Sequence, residues 1–181
     1  MKEFPDKEYN IIYADPPWKY TSWSEKTKDK GRGLALQHYE LMSLIELSAL
    51  PIKNISNENC ALFLWTTAPF LGEAFTLIKN WGFVYRTLAF TWIKTTKNGK
   101  LFFGMGHYTR SNSELCLLAT KGKMKVIDKS VFQIIMSPRE EHSKKPDIVR
   151  EKIVKLFGDL PRIELFARQK VDGWDSWGNE I

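Results

Sequence analysis

A chain of 181 residues can bury one well-packed core and is short for two, and 43% hydrophobic content with seven tryptophans suits a single globular domain over residues 1–181. No stretch reaches the roughly eighteen apolar residues of a membrane span, and Met1-Lys2-Glu3-Phe4-Pro5-Asp6-Lys7-Glu8 alternates charges where a secretory signal needs an apolar run, so the cytoplasm is the expected compartment. A formal charge of +6 and a pI near 9.2 are compatible with a polyanionic partner, which charge alone does not establish.

The first element is Asn10-Ile11-Ile12-Tyr13-Ala14, an apolar run that reads as a buried strand and stops abruptly at Asp15-Pro16-Pro17-Trp18. Residues 19–33, rich in Lys, Ser and Thr, read as a loop rather than a linker. Ser43 with Glu46 has capping-box spacing and opens a short helix through about Leu50, ended by Pro51. Cys60 to Thr66 is a second buried strand. Pro69 starts a helix whose apolar residues recur at Phe70, Leu71, Ala74, Phe75, Leu77 and Ile78, with Gly82 as its stop.

Phe83 to Thr95 and Glu114 to Lys121 read as strands, joined by a hairpin insertion containing Gly99, Gly104 and Gly106. A further strand is expected from Ser130 to Met136. A helix follows from about Pro146 to Phe157, with Val149, Ile153, Leu156 and Phe157 on one face and Gly158 as the stop. Arg162 to Ala167 is the next strand, and a last short one lies near Trp174 to Trp177. Strands alternating with helices, plus one hairpin, describe an α/β fold with an open, mostly parallel sheet covered on both faces. Ligands collect at the carboxyl ends of such strands, where Asp15, Thr66, Ala167 and Glu180 are expected to share a crevice.

The chemistry starts at the tetrad. Neither proline can donate a backbone hydrogen bond, and the residue before each is pushed to extended geometry, so the Asp15 and Pro16 carbonyls are expected to point outward as a rigid accepting array. An exocyclic nucleobase amine, with two protons to give, matches that array, and Trp18 offers a flat face to the ring. Methylation of such an amine is the expected reaction. A Pro-Pro pair alone would more simply cap a strand edge; the full tetrad is far rarer.

Other chemistries find little support. Cys60 and Cys116 sit inside apolar runs, make no disulfide framework, and lack the preceding proline of a cytosine C5-methyltransferase nucleophile. His38, His107 and His142 have no metal-ligand spacing, and no metal is expected. There is neither a Walker nor a dinucleotide glycine fingerprint.

Six blocks in order, Tyr13-Ala14-Asp15-Pro16-Pro17-Trp18, Leu62-Phe63-Leu64-Trp65-Thr66, Gly106-His107-Tyr108 through Glu114-Leu115-Cys116-Leu117-Leu118, Ser143-Lys144-Lys145-Pro146-Asp147, Ile163-Glu164-Leu165-Phe166-Ala167-Arg168 and Trp177-Gly178-Asn179, resemble the MT-A70 family of adenine-N6 methyltransferases. This family includes the messenger-RNA adenosine methyltransferases and their bacterial and phage DNA-adenine relatives. The resemblance implies a Rossmann-like sheet in permuted order, the catalytic strand preceding the cofactor-binding strand, and an S-adenosylmethionine-dependent transfer. By that resemblance Asp15 and the Pro16 carbonyl bind the amine, Pro17 holds the turn and Trp18 supports the ring. On the cofactor side it implies Asp15, the turn Phe166-Ala167-Arg168, Lys145 for the methionine carboxylate, and Asn179 with Glu180 for the ribose hydroxyls. Ala167 stands where other amine methyltransferases carry a glycine, as is usual in bacterial members.

For the substrate, Lys26, Lys28, Lys30 and Arg32 in the first loop, and Arg110 in residues 97–113, are candidates to hold phosphates, Tyr20 and Tyr108 to stack on bases, and His107 is a further candidate nucleic-acid contact. DNA is favoured over RNA by analogy with compact relatives that lack added RNA-binding regions. The alternatives are RNA adenine-N6 or DNA cytosine-N4 methylation, or a catalytically silent nucleic-acid-binding subunit; a homodimer or partner subunit is compatible with each. Asp at position 15 favours adenine over cytosine.

Overall fold

The computed structural model describes residues 3–19, 41–104, 108–139 and 144–181. Among the described residues, seven strands form one sheet: β1 (Tyr9–Ala14), β2 (Ser56–Thr66), β3 (Val84–Thr95), β4 (Ser113–Lys121), β5 (Ile134–Pro138), β6 (Arg162–Leu165) and β7 (Asp175–Trp177). Their spatial order is β5-β3-β4-β2-β1-β6-β7. Only β4 runs against its neighbours; the pairs β1/β2, β1/β6, β3/β5 and β6/β7 are parallel. This is the mostly parallel, Rossmann-like sheet with an antiparallel hairpin that the sequence leads one to expect.

The central strand explains why β1 reads as a continuous apolar run rather than an alternating one. Ile12 and Ala14 face a layer made by α1 (Leu44–Ala49), α2 (Ile52–Ile55) and α3 (Leu71–Asn80), together with Leu62, Leu64, Leu77 and Trp81. Ile11 and Tyr13 face the opposite layer, where α4 (Ile148–Phe157) packs Val149, Ile153 and Phe157 against Phe63, Trp65 and Phe90. A parallel strand covered on both sides has no solvent face to mark with polar residues.

Local signals behave as their chemistry demands. The Ser43 hydroxyl accepts the Glu46 N–H while the Glu46 carboxylate accepts the Ser43 N–H at 2.7 Å, a complete capping box. Pro69 lies in a 3-10 turn, Ala68–Phe70, that leads into α3. Pro51 follows the end of α1 as expected, and a second short helix, α2, starts at once and buries Ile52 and Ile55. One expectation needs correction. The strand expected at Ser130 to Met136 begins at Ile134 and runs on to Pro138. Ser130 N–H is taken by the Asp128 carboxylate at 2.7 Å, and pairing with β3 starts only at Ile134 opposite Thr91. No helix among the described residues is long and apolar enough to cross a membrane.

Candidate active site

The site lies at the carboxyl end of the sheet, and strand parity decides what reaches it. Along β2 and β3, Trp65, Trp92 and Lys94 share the α4 face. Because β4 runs the other way, its opening residues lie at this same end, with Glu114 opposite Trp92 and Leu115 opposite Thr66. Glu114 has the parity of Cys116 and Leu118 and so meets the same face. Asp15 follows β1, and Lys145 lies three residues before α4.

These side chains form an alternating row of charges. Lys145 donates to the Asp15 carboxylate at 2.6 Å and lies 3.1 Å from the Glu114 carboxylate, which also pairs with Lys94. The Lys145 side chain is only 9% exposed and that of Asp15 24%. Burial alone would push the Lys145 ammonium down, but the Asp15 and Glu114 carboxylates outweigh it and hold its pKa above the ordinary lysine value. Burial would likewise raise Glu114, yet Lys145 and Lys94 keep it below the usual carboxylate value. The Lys145 ammonium also lies 5.6 Å from the centroid of the Trp65 ring, whose indole N–H donates to the Tyr13 hydroxyl at 2.8 Å.

The tetrad is fixed more firmly than its sequence implies. Pro16 is buried, Pro17 and Trp18 half-buried. The Trp18 ring stacks on Phe70 at 5.6 Å and 17°, and its indole N–H donates to the Trp65 carbonyl at 3.2 Å. The expectation that the Asp15 and Pro16 carbonyls point outward as an accepting array is corrected in part, since the Pro16 carbonyl accepts the Trp18 N–H at 2.9 Å; next to it the Pro17 carbonyl accepts the Met42 N–H at 2.9 Å. A carbonyl oxygen has two lone pairs, so the Pro16 oxygen keeps capacity for a second donor. The same bond tightens the turn and fixes where that oxygen points.

Next to β1, the chain leaves β6 through Phe166, at φ 60° the only non-glycine residue in the left-handed region among those described. Such a conformation costs about 1–3 kcal/mol and persists only where its surroundings impose it. Here the Phe166 ring meets Trp177 edge-on at 5.5 Å, and Ala167 N–H donates to the Trp177 carbonyl at 3.0 Å. The strained residue is thus Phe166, not Ala167, so alanine in place of the glycine of other methyltransferases carries no backbone penalty. Gly178 is required by proximity: a Cβ there would lie 2.6 Å from the Ala167 carbonyl oxygen. Arg168 and Glu180 approach to 3.8 Å, and Asn179 is exposed beside them.

Of the residues expected to hold nucleic acid, Tyr20, Lys26, Lys28, Lys30, Arg32 and His107 lie outside the described residues. Tyr108 is 96% exposed, and the Arg110 guanidinium lies 4.8 Å from the Phe103 ring. Sequence reasoning places Glu114 in a family block without showing that it shares Lys145 with Asp15. Its one signal is an acid opening an otherwise apolar strand. Sequence reasoning also misses Arg150, which donates to Glu164 at 2.7 and 2.9 Å and to Asp147 at 2.6 Å. No group of three or more His, Cys, Asp or Glu side chains suited to a metal ion occurs among the described residues.

Residues 9–180 match the MT-A70 family model. The Type II methyltransferase M.MunI of Mycoplasma sp is 38% identical across 99% of this chain and 80% of its own length. The human N(6)-adenine-specific methyltransferase METTL4 is 27% identical and the Arabidopsis thaliana N(6)-adenosine-methyltransferase MT-A70-like protein 25% identical; the chain spans 38% and 24% of their respective lengths. With a tetrad at the exit of the central strand, a lysine tied to its acid and a family match over nearly the whole chain, the protein belongs to the MT-A70 family.

Proposed function

We propose that this protein transfers a methyl group from S-adenosylmethionine to the N6 amine of adenine in nucleic acid, with DNA as the favoured polymer and the cytoplasm as its compartment. The observation that carries the reading is the Asp15–Lys145 pair at 2.6 Å, at the exit of β1, the strand that pairs with β6. One carboxylate and one ammonium side by side are complementary to the amino-acid end of that cofactor, which carries the opposite pair. The donor set therefore fits the group. Bound there, S-adenosylmethionine supplies an electrophilic methyl on a sulfonium.

The protein's own part is binding and orientation. Lys145 holds the carboxylate of the amino-acid end, and Glu114 keeps that lysine charged once Asp15 has another cation to face. The Ala167 backbone would lie against the nucleoside end, and Asn179 with Glu180 would hold its ribose hydroxyls. Asp15 and the second lone pair of the Pro16 carbonyl accept the two amine protons of the base. That turns the amine lone pair out of ring conjugation and fixes its direction, and Asp15 takes up the proton shed after transfer. The Trp18 ring, held by Phe70 and the Trp65 carbonyl, walls the base and excludes water.

DNA is favoured because M.MunI, a Type II methyltransferase, matches over 80% of its length, whereas this chain covers a quarter to two fifths of the two eukaryotic relatives. Duplex DNA requires the adenine to leave the stack, at a few kcal/mol, and the basic segments 19–33 and 97–113 would stabilise the extruded state. A homodimer or a partner subunit would add contacts that one small sheet does not offer. The test is incubation with methyl-labelled S-adenosylmethionine and, separately, duplex DNA, single-stranded DNA and RNA, followed by nucleoside mass spectrometry. N6-methyladenine from DNA is expected; N4-methylcytosine, or no methylated nucleoside, would overturn the reading, and N6-methyladenosine from RNA alone would move it to the other polymer.

A further inference from the structure

Arg150, a buried cation with no part in the chemistry just described, touches three strategic neighbours. It is 8% exposed and projects from the first turn of α4. Its guanidinium donates to both Glu164 oxygens at 2.7 and 2.9 Å, to Asp147 at 2.6 Å, and lies 5.8 Å from the Tyr13 ring centroid. Each contact is two residues from a member of the candidate site: Tyr13 precedes Asp15, Asp147 follows Lys145, and Glu164 precedes Phe166. One planar group with donors in a rigid fork thus joins β1, the lead into α4, and β6 at the points where they deliver those residues. Gln169 adds a bond to Asp147 at 3.3 Å, bringing the segment after β6 into the same cluster.

Burying an arginine with two carboxylates is a poor way to gain stability, since well-packed apolar side chains of similar volume often do as well or better. What the cluster does provide is a fixed spacing. Through Tyr13 and Asp147 it reaches the chain just beside the Asp15–Lys145 pair, and through Glu164 the chain just before the left-handed Phe166 and the buried Ala167.

We propose that Arg150 is a positioning residue that sets the distance between the two ends of the cofactor slot, so that a ligand spanning both ends depends on it while a ligand using one end does not. This rests on the cofactor assignment made above. A residue that served only to hold the fold together would affect both kinds of ligand alike.

The experiment compares Arg150→Lys with the unaltered protein, using two probes read by calorimetry, the weaker one by displacement. S-adenosylhomocysteine spans the slot, and 5′-methylthioadenosine has the nucleoside end alone. Lysine keeps the charge but lacks the rigid planar fork that holds both Glu164 oxygens and Asp147 in one geometry. Arg150→Lys is expected to weaken S-adenosylhomocysteine at least about tenfold and 5′-methylthioadenosine less than about twofold. Asp147→Asn removes one exposed arm of the cluster and serves if Arg150→Lys does not fold; it should weaken the spanning ligand about threefold and leave the short one unchanged. Equal losses for both probes, or no loss for S-adenosylhomocysteine, would overturn the proposal. If the unaltered protein binds neither probe, the cofactor assignment itself falls and the proposal with it, a result distinct from the other two.

Discussion

Glu114→Gln probes the charge row most sharply, because it preserves shape while removing one carboxylate from between two lysines. In the protein Glu114 is 8% exposed and pairs with Lys145 and Lys94. Breaking a buried pair by neutralising one partner costs about 3–5 kcal/mol; Asp15 still pairs with Lys145, and Lys94 is 18% exposed, so the low end, about 3 kcal/mol, applies here. For a chain of this size about 3 kcal/mol lowers Tm by roughly 6–12 °C. The pH dependence follows from the direction of the shift. Glu114 sits below its ordinary value of 4.5 in the folded protein, so its contribution is present above the unfolded pKa and is lost as pH falls through the folded one. Melting curves followed by circular dichroism should therefore show the full gap between the two proteins at pH 7 and a narrowing gap as pH falls below about 4.5. A Tm within about 2 °C of the unaltered protein at pH 7, or a gap that persists unchanged on acidification, would refute the reasoning.

Asp15→Ala should abolish methyl transfer to below a thousandth of the original rate, measured by incorporation of labelled methyl; transfer at the original rate would remove Asp15 from the chemistry. Lys145→Met should weaken S-adenosylmethionine by roughly 10- to 100-fold in calorimetry, the loss expected for a charge-assisted contact, and unchanged affinity would contradict the carboxylate contact. Gly178→Ala drives a methyl to 2.6 Å from the Ala167 oxygen and should cost about 1–3 kcal/mol in urea unfolding, whereas an unmoved midpoint would mean that the turn yields freely. Replacing Lys26, Lys28 and Lys30 with alanine should flatten the log–log salt dependence of DNA binding by about 0.9 for each phosphate that is no longer neutralised; an unaltered slope would place the phosphates elsewhere.

What can be read from residue order is what depends on near neighbours in the chain. The apolar run ending in Asp15-Pro16-Pro17-Trp18 locates the exit of β1, the Ser43–Glu46 box places α1, and Pro69 and Gly82 bracket α3. Lys145 follows from the family blocks. Its second partner, Glu114, does not, because it depends on β4 lying antiparallel between β2 and β3; only that direction carries Glu114 to the end where Asp15 emerges. Arg150 is hidden for the opposite reason, since a basic residue in a helix reads as solvent-facing until β6 is packed against it. β5 starts only at Ile134, and the Asp128–Ser130 bond upstream of it is a local contact that leaves no hydrophobic signature.

The central claim is that the Asp15 crevice receives the methyl donor and the base amine together. A crystal structure of the protein with S-adenosylhomocysteine tests it most directly. The amino-acid end is expected on Lys145 and the nucleoside end against Ala167, with the thioether sulfur turned toward the open side of Asp15 and Pro16. The ligand seated on another face of the sheet, remote from Asp15, would contradict it.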